Sequence, residues 1–302
     1  MSAIIETESL TKQYGANRGI SAVTFAVSEG EVFGFLGPNG AGKTTTIRLL
    51  LGLLRPTDGS ARIAGLNCWS QAPDVKQLVG YLPGEFNVDP AMTGAQIIEY
   101  LGNLRGGVDQ HEVRRLVERL GLDPGKRFRE YSRGNKQKVG LIQAFMHKPR
   151  LLILDEPTSG LDPLNQQEFH TMVAEVRAEG RTVFLSSHDL TEVERLCDRV
   201  GIIREGELVR EDHISVLKEL RHHVVEITFP GPAATGWFGD VPSVSDVILM
   251  NGGNTVQLTA QEDLAKVIQV AAAHHAVSLI AREPSLEEVF LRYYAPEQDG
   301  RG

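Results

Sequence analysis

Hydrophobic positions follow two alternating patterns along the first 220 residues. Short apolar runs predict strands, and apolar residues that recur every three or four positions predict helices. The predicted strands are Ala3–Ile5, Ser21–Val27, Glu31–Leu36, Arg62–Ile63, Val79–Leu82, Leu151–Leu154, Thr182–Ser186 and Val200–Arg204. The predicted helices are Lys43–Leu54, Ala95–Asn103, Gln110–Leu120, Asn135–His147, Pro163–Ala178 and Leu190–Asp198. Strands that alternate with helices predict an α/β fold with a mostly parallel sheet covered on both faces.

The stretch from about residue 84 to residue 148 departs from this alternation, because it carries helical patterns and no strong strand pattern. We therefore predict a helical subdomain inserted between two halves of the sheet. The domain that contains both parts is expected to span residues 1–220.

The pattern changes again near Leu220–His223, and residues 223–302 predict a second, smaller α+β domain. Its predicted strands are Val224–Phe229, Ser245–Met250, Thr255–Thr259 and Ala276–Ala281. Apolar residues at helical spacing lie between the last two strands, at Leu264, Val267, Ile268 and Ala271. A capping box at Ser285–Glu288 predicts a closing helix over Leu286–Tyr294, and the Pro- and Gly-rich segment Pro230–Pro242 predicts a loop.

Candidate chemistry begins directly after the strand Glu31–Leu36, in a glycine-rich segment that opens a helix. Its residues are Gly37, Pro38, Asn39, Gly40, Ala41, Gly42, Lys43, Thr44 and Thr45. Glycines let such a loop curl so that its backbone N–H groups point at phosphate oxygens, and the helix adds its N-terminal dipole. Lys43 is expected to reach the terminal phosphates, and the Thr44 hydroxyl to bind Mg²⁺. The strand and helix that flank the segment supply the context this motif requires, so we predict ATP with Mg²⁺ as its ligands.

Two carboxylates, Asp155 and Glu156, end the apolar strand that begins at Leu151. Ligands of open α/β sheets collect at the carboxyl ends of strands. Asp155 is therefore predicted to hold Mg²⁺ directly or through water, and Glu156 to polarise the attacking water as general base. His188 follows the strand Thr182–Ser186, and that position suggests that it faces the γ-phosphate, although its spacing alone does not establish this.

Composition and charge narrow the classes of partner. The formal net charge is −8 and the sequence pI is near 5.6. Proteins that coat nucleic acid or an anionic membrane need clustered Lys and Arg, so we expect neither role. Cys68 and Cys197 lack metal-ligand spacing and are expected to be reduced thiols. No apolar stretch reaches the roughly 20 residues of a membrane helix, and the acidic N-terminus does not resemble a signal peptide, so any membrane-spanning part is expected in another chain.

The ordered set of motifs resembles the ATPase subunits of ATP-binding-cassette (ABC) transporters. The set contains the phosphate loop, the strand that ends in Asp155 and Glu156, residues 159–162 (SGLD) and residues 187–189 (SHD). Residues 131–137 (YSRGNKQ) look like a variant of the signature motif of that family. The resemblance covers residues 1 to about 220.

This resemblance assigns a role to each matching residue. It implies that Tyr14 stacks on adenine, that Gly37 to Thr45 hold the phosphates, that Asp155 belongs to the magnesium site and that Glu156 is the catalytic glutamate. It implies that His188 contacts the γ-phosphate. Asp162 matches the loop that crosses to a partner subunit. The signature residues, which would cap the γ-phosphate of the opposite subunit, are Ser132, Arg133, Gly134 and Asn135. The active unit implied is a head-to-tail dimer with two ATP molecules between the subunits.

Two departures from the family pattern concern the signature and the link to the membrane subunit. The signature normally reads Gly-Gly-Gln where this chain has Arg133, Gly134 and Asn135. The family also usually places Gln, which contacts Mg²⁺ and water, where Gly84 stands. We hypothesise that the neighbouring Glu85 takes part of that role as a possible metal ligand.

The stretches GYLP (residues 80–83) and EPSLEEVFL (residues 283–291) look most like the branch that exports drugs, antibiotics or lipids from bacteria. The ATPase and the membrane permease are separate chains there. The resemblance therefore implies a permease partner and a location at the cytoplasmic face of the cell membrane, peripheral through that permease.

Two other function classes stay open from the sequence alone. One is a non-transport ABC ATPase that acts on ribosomes or DNA, although such proteins usually carry two ATPase units, long coiled coils or basic extensions. The other is a small-molecule kinase, in which the signature motif would have no role.

The C-terminal domain is expected to stabilise a dimer or to regulate the protein; a ligand sensor is the alternative. Its adjacent histidine pairs are interpreted as solvated rather than as metal ligands.

Overall fold

The computed structural model describes residues 2–15, 17–219, 223–260 and 264–282. The chain divides into two compact units, residues 1–214 and residues 215–302. The division falls inside a short helix, Ile214–Glu219, a few residues before the boundary that the hydrophobic pattern predicts.

The first unit contains ten strands and eight helices among its described residues, the last helix crossing into the second unit. The strands are β1 (Ala3–Tyr14), β2 (Asn17–Ser28), β3 (Val32–Leu36), β4 (Asp58–Ile63), β5 (Leu66–Asn67), β6 (Val79–Leu82), β7 (Leu151–Asp155), β8 (Thr182–Ser187), β9 (Arg199–Arg204) and β10 (Glu207–His213). The helices are α1 (Lys43–Leu50), α2 (Ala72–Leu78), α3 (Gly94–Asn103), α4 (Gln110–Arg119), α5 (Arg133–Phe145), α6 (Pro163–Ala178), α7 (Leu190–Leu196) and α8 (Ile214–Glu219). All eight strands predicted before residue 220 overlap observed strands, so the α/β expectation is confirmed.

The larger sheet has the strand order β10-β9-β3-β8-β7-β6. All of its neighbouring pairs are parallel except β9 with β10. Every residue of β3, β7 and β8 is buried, which explains why these three strands read as continuous apolar runs. Because they are parallel neighbours, their carboxyl ends share one edge of the sheet.

A second, antiparallel sheet with the order β2-β1-β4-β5 packs on this layer through aromatic side chains. Phe25 of β2 lies 5.7 Å from Phe33 and 5.9 Å from Phe184, measured between ring centroids. These offset contacts stabilise the packing of the two sheets beyond the burial of apolar area alone. β1 is longer than predicted, because its solvent-facing side carries polar residues that hide the strand pattern.

Several element boundaries differ from the predictions for identifiable physical reasons. The first helix ends at Leu50 rather than at Leu54, because Gly52 adopts a positive φ of 60° and starts a Schellman turn. The Leu53 N–H donates to the Arg48 carbonyl at 2.8 Å, which closes that turn. Strand β10 was missed because it is a polar edge strand rather than an apolar run. Helix α2 was also missed.

The helical subdomain contains α3, α4 and the beginning of α5. Helix α3 begins with a capping box in which Thr93 and Gln96 cap each other, and α5 begins with the Ser132 hydroxyl at its N-cap. The Arg119 guanidinium of α4 joins the subdomain to α6, since it lies 2.5 Å from Glu168 and 2.6 Å from Glu175.

The second unit is an antiparallel sheet with the order β12-β13-β11-β14. Its strands are β11 (His223–Thr228), β12 (Val244–Met250), β13 (Thr255–Ala260) and β14 (Ser278–Arg282), and one helix, α9 (Ala265–Ala273), lies between the last two. This order is that of a split β-α-β motif in which a 3₁₀ turn, Thr235–Phe238, takes the place of the first helix. The predicted loop Pro230–Pro242 thus contains a helical turn, and Phe238 is fully buried in the core.

Two further predictions concern membrane segments and the chain end. No helix among the described residues is both long enough and apolar enough to cross a membrane. The predicted capping box at Ser285 and the helix Leu286–Tyr294 lie outside the described residues.

Candidate functional site

The loop between β3 and α1 has a backbone that requires glycine. Gly40 and Gly42 have φ values of 82° and 112°, which other residues rarely adopt. A Cβ at Gly42 would lie 2.6 Å from the Ile20 side chain, and one at Gly37 would lie 2.3 Å from the Ile203 carbonyl oxygen. The spacing of glycines in the sequence therefore reflects both the curl of the loop and its close contact with neighbouring strands.

The Lys43 ammonium lies over this loop. Its Nζ donates to the Gly37 carbonyl at 2.6 Å and to the Pro38 carbonyl at 3.3 Å, and it lies 3.2 Å from Glu156 Oε1. The side chain is only 6% exposed. A buried cation at the start of a helix, beside a glycine-rich loop, is an arrangement that attracts phosphate.

Asp155 is the buried carboxylate of the site, with 1% of its surface exposed. Its Oδ2 accepts from the Thr44 hydroxyl at 2.8 Å, and its Oδ1 accepts from the Ser186 hydroxyl at 2.5 Å. Burial and then the Asp155 charge raise the pKa of the nearby Tyr81 phenol to about 12. Among the described residues no Lys or Arg forms an ion pair with Asp155, so the carboxylate is able to pair with a cation.

This donor set fits Mg²⁺. A hydroxyl and a carboxylate supply hard oxygen ligands, and Mg²⁺ usually takes one or two protein ligands together with phosphate oxygens and water. In the described part of the chain, no group of three or more His, Cys, Asp or Glu side chains is arranged to hold a metal by itself. The residues therefore suit a metal that is bound together with a nucleotide.

Glu156 is held in an unusual backbone conformation beside Asp155. Its φ is 51°, in the left-handed region, and its N–H lies 3.2 Å from both the carbonyl and the hydroxyl oxygen of Ser186. Its Oε2 lies 2.7 Å from His188 Nδ1, and its Oε1 lies 3.2 Å from Lys43 Nζ. The structure thus brings together Lys43, Glu156 and His188 at one edge of the sheet, as the sequence predicts.

The signature residues lie around a different loop. The Ser132 hydroxyl accepts from the Asn135 N–H at 3.3 Å, and Arg133 Nη2 donates to the Ser159 hydroxyl at 2.6 Å. A Cβ at Gly134 would lie 2.5 Å from the Gly160 carbonyl oxygen. Within the ranges that the structure describes, no hydrogen bond or ion pair joins residues 132–135 to residues 37–45.

Asp162 and Tyr14 are the two remaining residues to which the resemblance assigns a role. Asp162 is the N-cap of α6, where its carboxylate accepts from the Asn165 N–H at 3.0 Å and from the Asn165 amide at 2.6 Å. These hydrogen bonds lower the pKa of Asp162. Tyr14 is the last residue of β1 and is 42% exposed. Lys12 Nζ lies 5.6 Å from the centroid of its ring. An exposed ring of this kind suits base stacking, which stays a prediction.

Comparisons with known proteins identify the family. The model of the ABC transporter family matches residues 20–159. The bacitracin transport ATP-binding protein BcrA of Enterococcus faecalis is 40% identical over 232 residues, which cover 75% of this chain and 74% of BcrA. The chain is an ABC transporter ATP-binding subunit. The resemblance derived from the motifs is therefore confirmed.

Two further similarities extend beyond the residues of the motifs. The linearmycin resistance ATP-binding protein LnrL of Bacillus subtilis is 31% identical and covers 95% of this chain and 97% of its own length. A solved ATP-binding subunit of an ABC transporter is 29% identical and matches with a TM-score of 0.66, covering 71% of this chain and 92% of its own. This ABC subunit accordingly binds and hydrolyses ATP.

Gly84, where the resemblance to the family leads us to expect Gln, lies beside the Asp155 carboxylate. A Cβ at Gly84 would lie 3.3 Å from Asp155 Oδ2, so a side chain at this position would point at the predicted magnesium site. Glu85, the proposed substitute, is exposed. Its role as a metal ligand stays a prediction, because the side chain would have to turn toward Asp155 when nucleotide binds.

Sequence reasoning missed two residues of this region. Ser186 contacts both Asp155 and Glu156, and Gln137 of α5 donates to the Glu156 carbonyl at 3.1 Å and to the Pro157 carbonyl at 3.0 Å. Ser186 carries a signal, since a polar residue at the end of an apolar strand lies at the edge where ligands collect. Gln137 ends the stretch that resembles the signature motif, but its contacts are not evident there, because its partners are backbone carbonyls that no side-chain pattern reveals.

The contact between Arg133 and Ser159 gives a direct test of the link between α5 and the loop after β7. We expect Arg133→Ala to raise hydrogen exchange of the amides at residues 159–161 about fivefold, the equivalent of about 1 kcal/mol for one hydrogen bond at the surface. Amides of the phosphate loop are expected to exchange at the parental rate. Ser159→Ala removes the same bond from the other side and is expected to give the same increase, with no further increase in the double variant. Parental exchange in Arg133→Ala, with faster exchange in Ser159→Ala, would contradict this link.

Proposed function

We propose that this ABC subunit hydrolyses Mg²⁺-bound ATP as a head-to-tail dimer and thereby powers export of a small molecule, such as a drug, an antibiotic or a lipid, through a separate membrane permease. The observation that carries the chemistry is the meeting of Lys43, Glu156 and His188 at the carboxyl ends of adjacent parallel strands. The exporter role is supported by relatives named for bacitracin transport and linearmycin resistance.

The phosphate loop is proposed to bind the phosphates of ATP. Its N–H groups and the Lys43 ammonium are proposed to bind the β- and γ-phosphates, and Lys43 exchanges its loop carbonyls for phosphate oxygens. Thr44 and Asp155 would hold Mg²⁺, which neutralises charge on the phosphate oxygens. Tyr14 is proposed to stack on the adenine ring.

Glu156 supplies the general base. Its carboxylate is proposed to accept a proton from a water molecule while the water oxygen bonds to the γ-phosphorus. The bond from the γ-phosphorus to the bridging oxygen breaks, and ADP leaves with that oxygen. His188, 2.7 Å from the Glu156 carboxylate, fixes the direction of the carboxylate and is proposed to face the γ-phosphate.

The separation of the signature from the phosphate loop favours a second copy. Arg133 and Gly134 lie against residues 159–160 of their own chain rather than against their own phosphate loop. The N-terminus of α5 offers backbone N–H donors, which suit a phosphate group supplied from outside the chain. In the proposed dimer these residues close the site of the opposite subunit, and Asp162 belongs to the loop that crosses between the subunits.

Proteins of this family work with membrane permeases. We infer that this subunit binds such a permease and is held by it at the cytoplasmic face of the membrane. The alternative is a non-transport ABC ATPase that acts on ribosomes or DNA, and the net charge of −8 disfavours it.

The choice between these functions is testable by isolation of the full-length protein at native abundance in mild detergent. We expect it to co-purify with a polytopic membrane chain that raises its ATPase rate when both are reconstituted in vesicles. The Lys43→Ala variant is the matched control, because it keeps the surface of the protein but is expected to lose the rate increase. Recovery with ribosomes or DNA, and no membrane chain, would overturn the transport role.

Glu156→Gln tests the general base. The amide keeps the size of the carboxylate but cannot accept the proton, so we expect ATP binding to persist while hydrolysis falls at least about 100-fold. The variant is expected to form a nucleotide-bound dimer that size-exclusion chromatography detects. In contrast, Lys43→Ala is expected to lose ATP affinity and activity together. Hydrolysis at the parental rate in Glu156→Gln would show that another group acts as base.

Glu85→Ala tests the substitution for the missing glutamine. We expect the ATPase rate and its stimulation by the permease to fall about tenfold, as for loss of an outer-shell group at a metal site. Adding Gly84→Gln to that variant is expected to restore activity, because the new side chain would start 3.3 Å from the Asp155 carboxylate. Unchanged ATPase activity and coupling in Glu85→Ala would assign no role to Glu85.

A further inference from the structure

Gln137 is a buried polar side chain for which the phosphate site gives no explanation. It lies in α5, less than two turns after the signature residue Ser132, and is 5% exposed. Its Nε2 donates to two consecutive backbone carbonyls, those of Glu156 at 3.1 Å and Pro157 at 3.0 Å. The amide nitrogen therefore binds two consecutive carbonyls of the segment that carries Glu156.

The backbone that accepts these hydrogen bonds is strained. Glu156 has a φ of 51°, which is costly for a residue with a Cβ and persists only where surrounding groups hold it. Two tethers hold it here. Ser186 accepts from the Glu156 N–H on one side, and Gln137 donates to the Glu156 carbonyl on the other.

The direction of the Glu156 carboxylate depends on this backbone conformation. In the left-handed conformation the carboxylate reaches His188 Nδ1 at 2.7 Å and Lys43 Nζ at 3.2 Å. If the peptide relaxed toward a common φ, the Cα–Cβ bond would swing and these contacts would be lost. A displacement of about 1 Å at a catalytic group can cost on the order of 100-fold in rate.

We propose that Gln137 is a positioning residue that holds the general base of this ATPase in place from the signature helix. This inference rests on the proposed role of Glu156 as general base. Gln137 does not touch substrate, and it acts through the carbonyls of Glu156 and Pro157.

The same contacts couple the signature to the base. Helix α5 meets the segment at residues 156–160 at three places, through Arg133 with Ser159, Gly134 with Gly160, and Gln137 with Glu156 and Pro157. The signature turn and the catalytic segment therefore move together. A phosphate that binds at Ser132 would therefore shift the backbone of Glu156 in the same chain. That Glu156 belongs to the other ATP site of the proposed dimer.

Gln137→Met tests the proposal in the full-length ATPase, because methionine keeps the length of the side chain but donates no hydrogen bond. We expect kcat for ATP hydrolysis to fall about 10- to 100-fold, with little change in ATP affinity. Gln143→Met is the matched control: Gln143 lies in the same helix, is 9% exposed, and donates to the Tyr81 carbonyl at 2.5 Å, away from Glu156. Its kcat is expected to stay within about twofold of the parent.

A double variant separates positioning from general loss of structure. With Glu156→Gln as background, the base is already absent, so adding Gln137→Met is expected to lower the residual rate little further. A second substitution, Gln137→Asn, keeps the amide but shortens it by one methylene, and it is expected to lower kcat with thermal unfolding close to that of the parent. If Gln137→Met unfolds, kcat of Gln137→Asn is compared with that of the parent and of the Gln143 control instead.

Equal rates in the Gln137 and Gln143 variants, or multiplicative losses in the double variant, would overturn the positioning role. A loss of ATP affinity that accounts for the whole effect would overturn it as well. Failure of the proposed function gives a different result, since Glu156→Gln alone would then hydrolyse ATP at the parental rate. The two failures are therefore distinguishable.

Discussion

The buried Asp155 carboxylate is the point on which the site depends. It ends the buried strand β7 and joins two other elements, through Thr44 at the start of α1 and Ser186 near the end of β8. A carboxylate with 1% exposure is stable only when its oxygens are hydrogen-bonded, so these contacts fix the phosphate loop and the strand edge relative to each other. Glu156 follows directly in the chain, and its position is set by the same strand end. The nucleotide and its metal would complete the charge balance that the protein leaves open around Asp155.

The sequence predicts most of this arrangement because its determinants are local or periodic. Buried parallel strands read as apolar runs, so β3, β7 and β8 were placed within about one residue of their observed bounds. The glycines of the phosphate loop are identifiable because positive φ values and close packing exclude other residues there. Boundaries failed where a single turn decided them, as at Gly52, or where polar edge strands such as β10 lack an apolar run. The described strands of the second unit overlap those predicted, but the burial of Phe238 shows that its Pro- and Gly-rich segment belongs to the core.

The contacts that could not be predicted join residues 19 to 26 positions apart in sequence without a spacing or charge pattern to mark them. Gln137 donates to two carbonyls, and the partner of Arg133 is a serine in a loop far along the chain. Neither contact has a spacing or a charge pattern that a sequence reveals. The guanidinium of Arg133 is engaged by the Ser159 hydroxyl in the same chain. These contacts are long-range in sequence, and they form because α5 lies against the segment that follows β7.

The strained peptide at Glu156 connects these observations to function. A left-handed glutamate costs stability, and proteins keep such residues where the conformation serves the site. Here both peptide groups that flank the Cα of Glu156 are held, one by β8 and one by α5. His188 follows β8, and α5 begins with the signature. In the proposed dimer these two elements contact the γ-phosphates of different ATP molecules. The Glu156 carboxylate is therefore held between elements of both ATP sites. A base held in this way loses its geometry when either element moves, so hydrolysis would require both ATP sites to be closed. An isolated subunit is therefore expected to bind ATP readily and to hydrolyse it poorly.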